Sequence, residues 1–205
     1  MNPMLRWGAP LVLGFAAAGC SLSGLLGGGG KTPATLQTLT AEAADPGPMT
    51  RASHAGQAVS IAVPIVAKEL RTVRVPVQLS PTDVQYVTNL QWIDTPDRLF
   101  QALLAETIRR TTNRVVVGTN QATLDPGLVV SGQLQKFGYD AQMGQVVVEY
   151  DGALSTAGGN RVESRRFVAT APADGTAGTV GPALNRAANQ VAAEVASWVG
   201  NSTAS

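Results

Sequence analysis

Three features of the 205-residue sequence predict an α+β domain with a mainly antiparallel sheet and two amphipathic helices packed on one face. Between Leu128 and Ala171, three runs with alternating apolar residues follow one another across short turns. A helix-like stretch, DTPDRLFQALLAETIRRTT, precedes them, and a second, ALNRAANQVAAEVASWV, closes the chain. Strands joined by turns of a few residues favour antiparallel pairing. Two helices with one apolar stripe each need a sheet face to cover.

Taken in order, ATLQTLTA (34–41) alternates loosely and predicts an edge strand, and ADPGPMTRASHAGQA is loop by its Pro, Gly and Ser content. VSIAVPIVA (59–67) is a β-branched run that Pro64 confines to an edge or ends, and TVRVPVQL carries Pro76 in a similar position. In TDVQYVTNLQW, Val84, Tyr86 and, after a break, Leu90 and Trp92 are available to one face.

Helix signals follow: Thr95 at the cap, Pro96 at the first helical position and Asp97 at the positive end. Leu99, Phe100, Leu103, Leu104 and Ile108 fall on one face, with the charged residues mostly away from it.

Four strands are expected next, the first from the short Val run of RVVVG at Arg114. In GLVVSGQLQKFGYDA, Leu128, Val130 and Leu134 alternate but Phe137 is out of phase, which predicts a bulge near Gln135 or Lys136. QVVVEYDGALST points Val146, Val148, Tyr150 and Leu154 one way, and RVESRRFVATA sets Glu163, Arg165 and Phe167 opposite Val162, Arg166 and Val168. The last helix is predicted over Thr179–Val199, stopped by Gly200, with residues 200–205 as a frayed tail.

The chemistry of catalysis is sparse. The single His, His54, lies in a Pro/Gly/Ser-flanked loop with no second ligand near, so a Ser-His-Asp arrangement or a metal site has little to build on. Asp140, Glu149 and Asp151 read as solvated outer-face carboxylates. Arg161 and Arg165 share a face with Glu163 between them, which reads as cross-strand ion pairing, with an anion-binding patch as the alternative. The aromatic residues serve the core or its rim; an exposed Trp92 or Tyr139 would instead mark a partner surface, together with Arg161 and Arg165.

Gly27–Gly30 followed by Lys31 and Thr32 resemble the end of a phosphate loop. The spacing fails, because Leu25 stands where the first glycine belongs, and no strand precedes it or helix follows it. A flexible Gly-rich linker is the reading that remains. Net charge is +1, and without a leader containing Arg6 the chain has 14 cations against 14 Asp plus Glu. Balanced charge leaves no footprint for nucleic acid.

The N-terminus is more informative. Arg6 precedes the uncharged apolar run APLVLGFAAAG, which has signal-peptide length and is too short to span a bilayer. The run ends in AAGC, Ala17–Cys20, which resembles the lipobox of bacterial lipoproteins. Residues 1–19 are then a signal peptide, 20–33 a tether and 34–199 the domain. The single cysteine, Cys20, would carry diacylglycerol and an N-acyl chain, with no other cofactor expected. Ser21, in place of the Asp that usually retains such proteins at the inner membrane, points to the outer membrane, facing the periplasm.

Together, the lipobox, VSIAVPIVAKEL, QWIDTPDRLFQALLAETI, SGQLQKFGYDA, VVVEYDGAL, RRFVATA and the closing helix resemble the ABC-type transport auxiliary lipoproteins, which accompany MCE-type lipid-transport systems such as Pqi. The resemblance implies a non-enzymatic envelope lipoprotein that docks a periplasmic MCE protein and its ABC permease and ATPase, with self-association open. A lipid carrier enclosing an acyl chain between sheet and helices, and a structural partner of an outer-membrane barrel or the cell wall, are the alternatives.

Overall fold

The computed structural model describes residues 35–53, 57–118, 127–156 and 161–202. Cys20, the leader, the Gly-rich tether, His54 and the tail from residue 203 lie outside the described residues. The elements are β1 (Val59–Ile61), β2 (Ile65–Val66), a 3-10 turn (Lys68–Leu70), β3 (Arg74–Gln78), β4 (Val84–Gln91), α1 (Pro96–Thr111), β5 (Val116–Val117), β6 (Leu128–Asp140), β7 (Gln145–Thr156), β8 (Val162–Pro172) and α2 (Ala177–Asn201). The α+β class is as expected; the sheet is mixed rather than mainly antiparallel.

Strand β6 is the axis. Along one side it pairs antiparallel with β7 from Leu128↔Thr156 to Asp140↔Gln145, and β7 pairs antiparallel with β8. Along its other side run β1, β2 and β3 in succession, all parallel to it: Val59↔Leu128, Val66↔Leu134 and Gln78↔Asp140. Parallel partners need a crossover, supplied here by the chain between β3 and β6, which includes α1. β5 adds parallel to β1, and β4 adds antiparallel to β3.

The expected bulge falls at Gln135: Leu134 pairs with Tyr150 and Lys136 with Glu149. It returns Phe137 and Tyr139 to the buried face that Leu128, Val130 and Leu134 occupy. β7 keeps its alternation without a break.

Pro64 separates β1 from β2, as its missing N–H requires. Pro76 lies inside β3, between β4 and β6, not at an edge. It is tolerated because the β3–β4 register slips between Arg74 and Pro76, and pairing with β6 begins at Val77. In β4, Asn89 adopts φ 58, and the burial phase moves to Val87, Leu90 and Trp92, leaving Val84 exposed and Tyr86 half-buried. β5 is a half-buried edge strand rather than a buried one.

Helix α1 buries Phe100, Leu103, Leu104, Thr107 and Ile108. Thr95 holds the cap position without a side-chain cap bond; its own N–H goes to the Asp94 carboxylate at 2.7 Å. Helix α2 runs through Gly200 to Asn201, beyond the predicted stop. Its C-terminal carbonyls are met by Arg114, whose guanidinium donates to the Val199 and Ser202 carbonyls, a cation at the negative end of the helix.

Both helices pack together on one face of the sheet. Between the layers, Phe100, Tyr150, Phe167 and Trp198 form a continuous aromatic row with ring centroids 5.2–6.4 Å apart. Tyr150, 0% exposed, donates its hydroxyl to the Ser131 carbonyl at 2.8 Å, and burial pushes its pKa upward.

Candidate functional site

The segment that would join the tether to the domain is strapped across the helices. Gln37 forms a parallel bridge to Trp92: the Gln37 N–H donates to the Gln91 carbonyl and the Ile93 N–H to the Gln37 carbonyl, both at 2.8 Å. This single bridge is all that the expected edge strand becomes. Beyond it the chain lies on α2. The Thr40 N–H donates to Asn185 Oδ1 (2.9 Å), the Glu42 N–H to Asn189 Oδ1 (2.8 Å), and Asn189 Nδ2 to the Thr40 carbonyl (2.8 Å).

The match is geometric. Four residues of helix rise about 6 Å, and two residues of extended chain advance about 6.6 Å, so an i,i+4 asparagine pair reads alternate amides of a strand. Arg110 adds a bond to the Ala43 carbonyl at 2.8 Å. Arg110 also donates to Glu106 at 2.6 Å and, with help from Arg109, holds that carboxyl below its ordinary range against the opposing cost of burial.

On the face of the sheet away from the helices, charges from three strands form a network. Arg166 on β8 makes two bonds to the Asp151 carboxylate (2.6 and 2.8 Å) and lies 3.3 Å from Glu149, while Lys136 reaches Glu149 at 3.6 Å. Gln135 donates to Asp151 at 3.0 Å. The Arg166 bonds hold the Asp151 carboxyl below its usual range. Surface pairs of this kind contribute little each, so their use is in patterning the face. Glu149 and Asp151 are thus outer-face carboxylates, as read from the sequence; Asp140 instead accepts the Gln142 and Met143 N–H groups in the β6–β7 turn.

The residues singled out for a partner surface do not come together. Trp92 is 1% exposed, its ring 5.7 Å from Phe137, and Tyr139 is 9% exposed. Burial in the core withdraws both from a contact surface. Arg161 ion-pairs with Glu163 two residues away on the same stretch of chain, so the cross-strand pairing expected of it is instead made by Arg166. Arg165 lies over the Phe167 ring at 5.2 Å, and Trp198 Nε1 donates to Glu163 at 3.2 Å. With Arg161 matched by Glu163, no paired-arginine anion patch results.

A groove of about 360 Å3 is lined by polar residues such as Gln78, Lys136 and Asp140 and by apolar ones such as Leu70, Phe137 and Val147. Asn185 and Asn189 were missed in the sequence. Their signal was present, two asparagines four apart in the closing helix, one of them on its buried side.

These features define a two-layer α+β domain whose polar groups hold a strap, close helix ends and pattern a charged sheet face. The chain belongs to the family of ABC-type transport auxiliary lipoprotein components, whose model matches residues 38–196. That is not an enzyme family. Its members are associated by description with ABC transport systems.

Among solved structures, protein XCC0632 from Xanthomonas campestris superposes with a TM-score of 0.69 at 18% identity, covering 82% of this chain and 95% of that one. An uncharacterized protein superposes at 0.57 with 16% identity, covering 73% of this chain and 96% of that one. These likenesses show a shared fold. A PelC dodecamer from Paraburkholderia phytofirmans matches more weakly, at a TM-score of 0.44 and 15% identity over 72% of this chain and 91% of that one. No curated protein matches the sequence. Among the described residues no helix is long and apolar enough to cross a membrane.

Proposed function

We propose that this protein is the lipid-anchored docking subunit of an ABC/MCE-type lipid-transport system, held on the periplasmic face of the outer membrane by acyl chains on Cys20. The observation that carries the reading is the family match over 38–196 in a chain whose residue 20 is the cysteine of a lipobox-like AAGC. The strap supports it, since a tethered domain needs its tether secured to the core. The charged face of β6, β7 and β8 offers paired, polar groups suited to reversible contact with a periplasmic MCE protein.

A carrier role draws less support. The space between sheet and helices is filled by Trp92, Phe100, Phe137, Tyr150 and Phe167, each at most 1% exposed. The surface groove mixes Leu70, Pro76, Phe137, Tyr139 and Val147 with Glu69, Gln78, Lys136 and Asp140, so it is not the predominantly apolar slot that encloses an acyl chain.

The test is Cys20→Ala, expressed from the full gene and followed by membrane fractionation. The variant is expected to leave the outer-membrane fraction. Unchanged fractionation would sink the anchor and, with it, the bridging role.

A further inference from the structure

The bridge between Gln37 and Trp92 fixes which side chains point outward where the tether would enter. Trp92 faces the core and Gln37 faces α2, its side chain lying against Gly181. Side chains alternate along extended chain, so Leu36 on the strap and Ile93 after β4 are turned to the opposite side. Both are exposed, Leu36 at 48% and Ile93 at 63%. The adjoining chain belongs to the same ladder: Arg74 pairs with Gln91, and the Trp92 N–H donates to the Val73 carbonyl. Arg74 is exposed, with its guanidinium held 4.2 Å over the Tyr86 ring. Asp94, next along, gives its carboxylate to the Thr95 amide.

A pair of large apolar side chains beside an arginine is a small feature by itself. Its place gives it meaning. Thr35 follows Cys20 by fifteen residues in sequence, a contour of no more than about 54 Å, and Leu36 is the next residue. Among the described residues Leu36 is the exposed large apolar side chain nearest in sequence to the acyl group, and the Gln37–Trp92 bridge brings Ile93 to the same place. A short leash also holds the local concentration of lipid high, so a contact too weak for a free protein becomes occupied.

We propose that the outer side of this ladder, with Leu36 and Ile93 entering the interfacial region and Arg74 beside the phosphates, is the face on which the domain rests on the lipid surface. Shallow burial of apolar side chains at the headgroup boundary with a cation at its rim is the chemistry of interfacial binding. The inference rests on the Cys20 anchor proposed above.

The sequence holds one cysteine, which lipidation would consume, so an introduced cysteine is a unique label site. Ile93→Cys and, as control, Val162→Cys are each made in the full lipidated chain. Val162 is 65% exposed on β8, at the opposite edge of the sheet, and so matches Ile93 in exposure. Each carries an environment-sensitive fluorophore and is reconstituted in phosphatidylethanolamine–phosphatidylglycerol vesicles, with flotation run on the same sample. The label at 93 is expected to be quenched several-fold more by a lipid-borne nitroxide than the label at 162, with the order reversed for aqueous iodide. Adding Leu36→Ser is expected to reduce the lipid quenching at 93.

If the vesicles float with protein but position 93 behaves like 162, the face is wrong and the anchor stands. If the label at 93 is shielded from both quenchers, the face is a protein contact and the proposal is overturned. If the protein does not float, the anchor itself has failed and the seat falls with it.

Discussion

The two sides of strand β6 are built differently. On one side β7 and β8 follow it directly in sequence, and their ladders are antiparallel from end to end apart from the bulge at Gln135. On the other side β1, β2 and β3 come from a part of the chain some sixty residues earlier and lie parallel, one after another, along the same strand. The first side is joined by short connections, with β6 and β7 linked by a turn over 141–144. The second has no turn to β6, so its register depends on packing, helix crossover and close approach of backbone. At Gly138, for example, a Cβ would lie 2.5 Å from the Pro76 carbonyl oxygen, so β3 can lie close to β6 only because that residue is glycine. Non-local pairing of this kind also costs more loop entropy before it is rewarded.

The sharpest way to break the antiparallel side is Gly132→Ala. A Cβ there would run into the Asp151 carbonyl oxygen and lie 2.8 Å from the Tyr150 hydroxyl, both on the partner strand β7. Neither neighbour is the free end of a flexible side chain, so a loss of about 3 kcal/mol or more is expected, read from urea unfolding. A loss below about 1 kcal/mol would mean that the β6–β7 ladder is far softer than its register implies.

A smaller effect tests the long-range side, where the strap adds to the layer over α2. Asn189→Ala removes bonds to the Thr40 carbonyl and the Glu42 N–H at a position only 7% exposed. The expected cost is about 1–2 kcal/mol, because two part-buried hydrogen bonds to the strap backbone are lost. Cleavage by a nonspecific protease between Thr35 and Arg51 should rise in parallel. If stability falls but cleavage does not, Asn189 supports the helix rather than the strap.

The smallest effect lies at the entry to α2. The Asp174 carboxylate accepts the Thr176 N–H and both the Thr179 and Thr176 hydroxyls, and these bonds, the Thr179 one foremost, lower its pKa from 3.8 to about 2. A depressed carboxylate contributes stability above its unfolded pKa and loses it as pH falls through the folded value. Asp174→Asn should therefore differ from the parent protein at neutral pH, with the difference shrinking between pH about 4 and about 2. A constant difference across that window would show that the carboxylate charge is not what closes this helix end.

Much of the domain was legible because the signals are local. Pro96 and Asp97 mark the start of α1, and the out-of-phase Phe137 marks the bulge two residues before it. The alternation of Val146, Val148 and Tyr150 fixes the buried face of β7. The outer-face reading of Glu149 and Asp151 followed from the same period. The core reading of Trp92 and Tyr139 holds, and the alternative that made them a partner surface does not. What failed was non-local. Arg161 and Arg166 are both flanked by carboxylates within reach, and the partner strand, not the spacing, chooses which pair crosses.

By itself the sequence determined the two helices, the antiparallel run from β6 to β8 and the family, because each is written in spacings of a few residues. The tertiary structure alone decided that β1, β2 and β3 line the far side of β6 in parallel, that Asn185 and Asn189 bind the strap, and that Leu36 and Ile93 share an outward face. Those outcomes depend on which distant backbones meet, and a period of two or 3.6 residues carries no information about its partner.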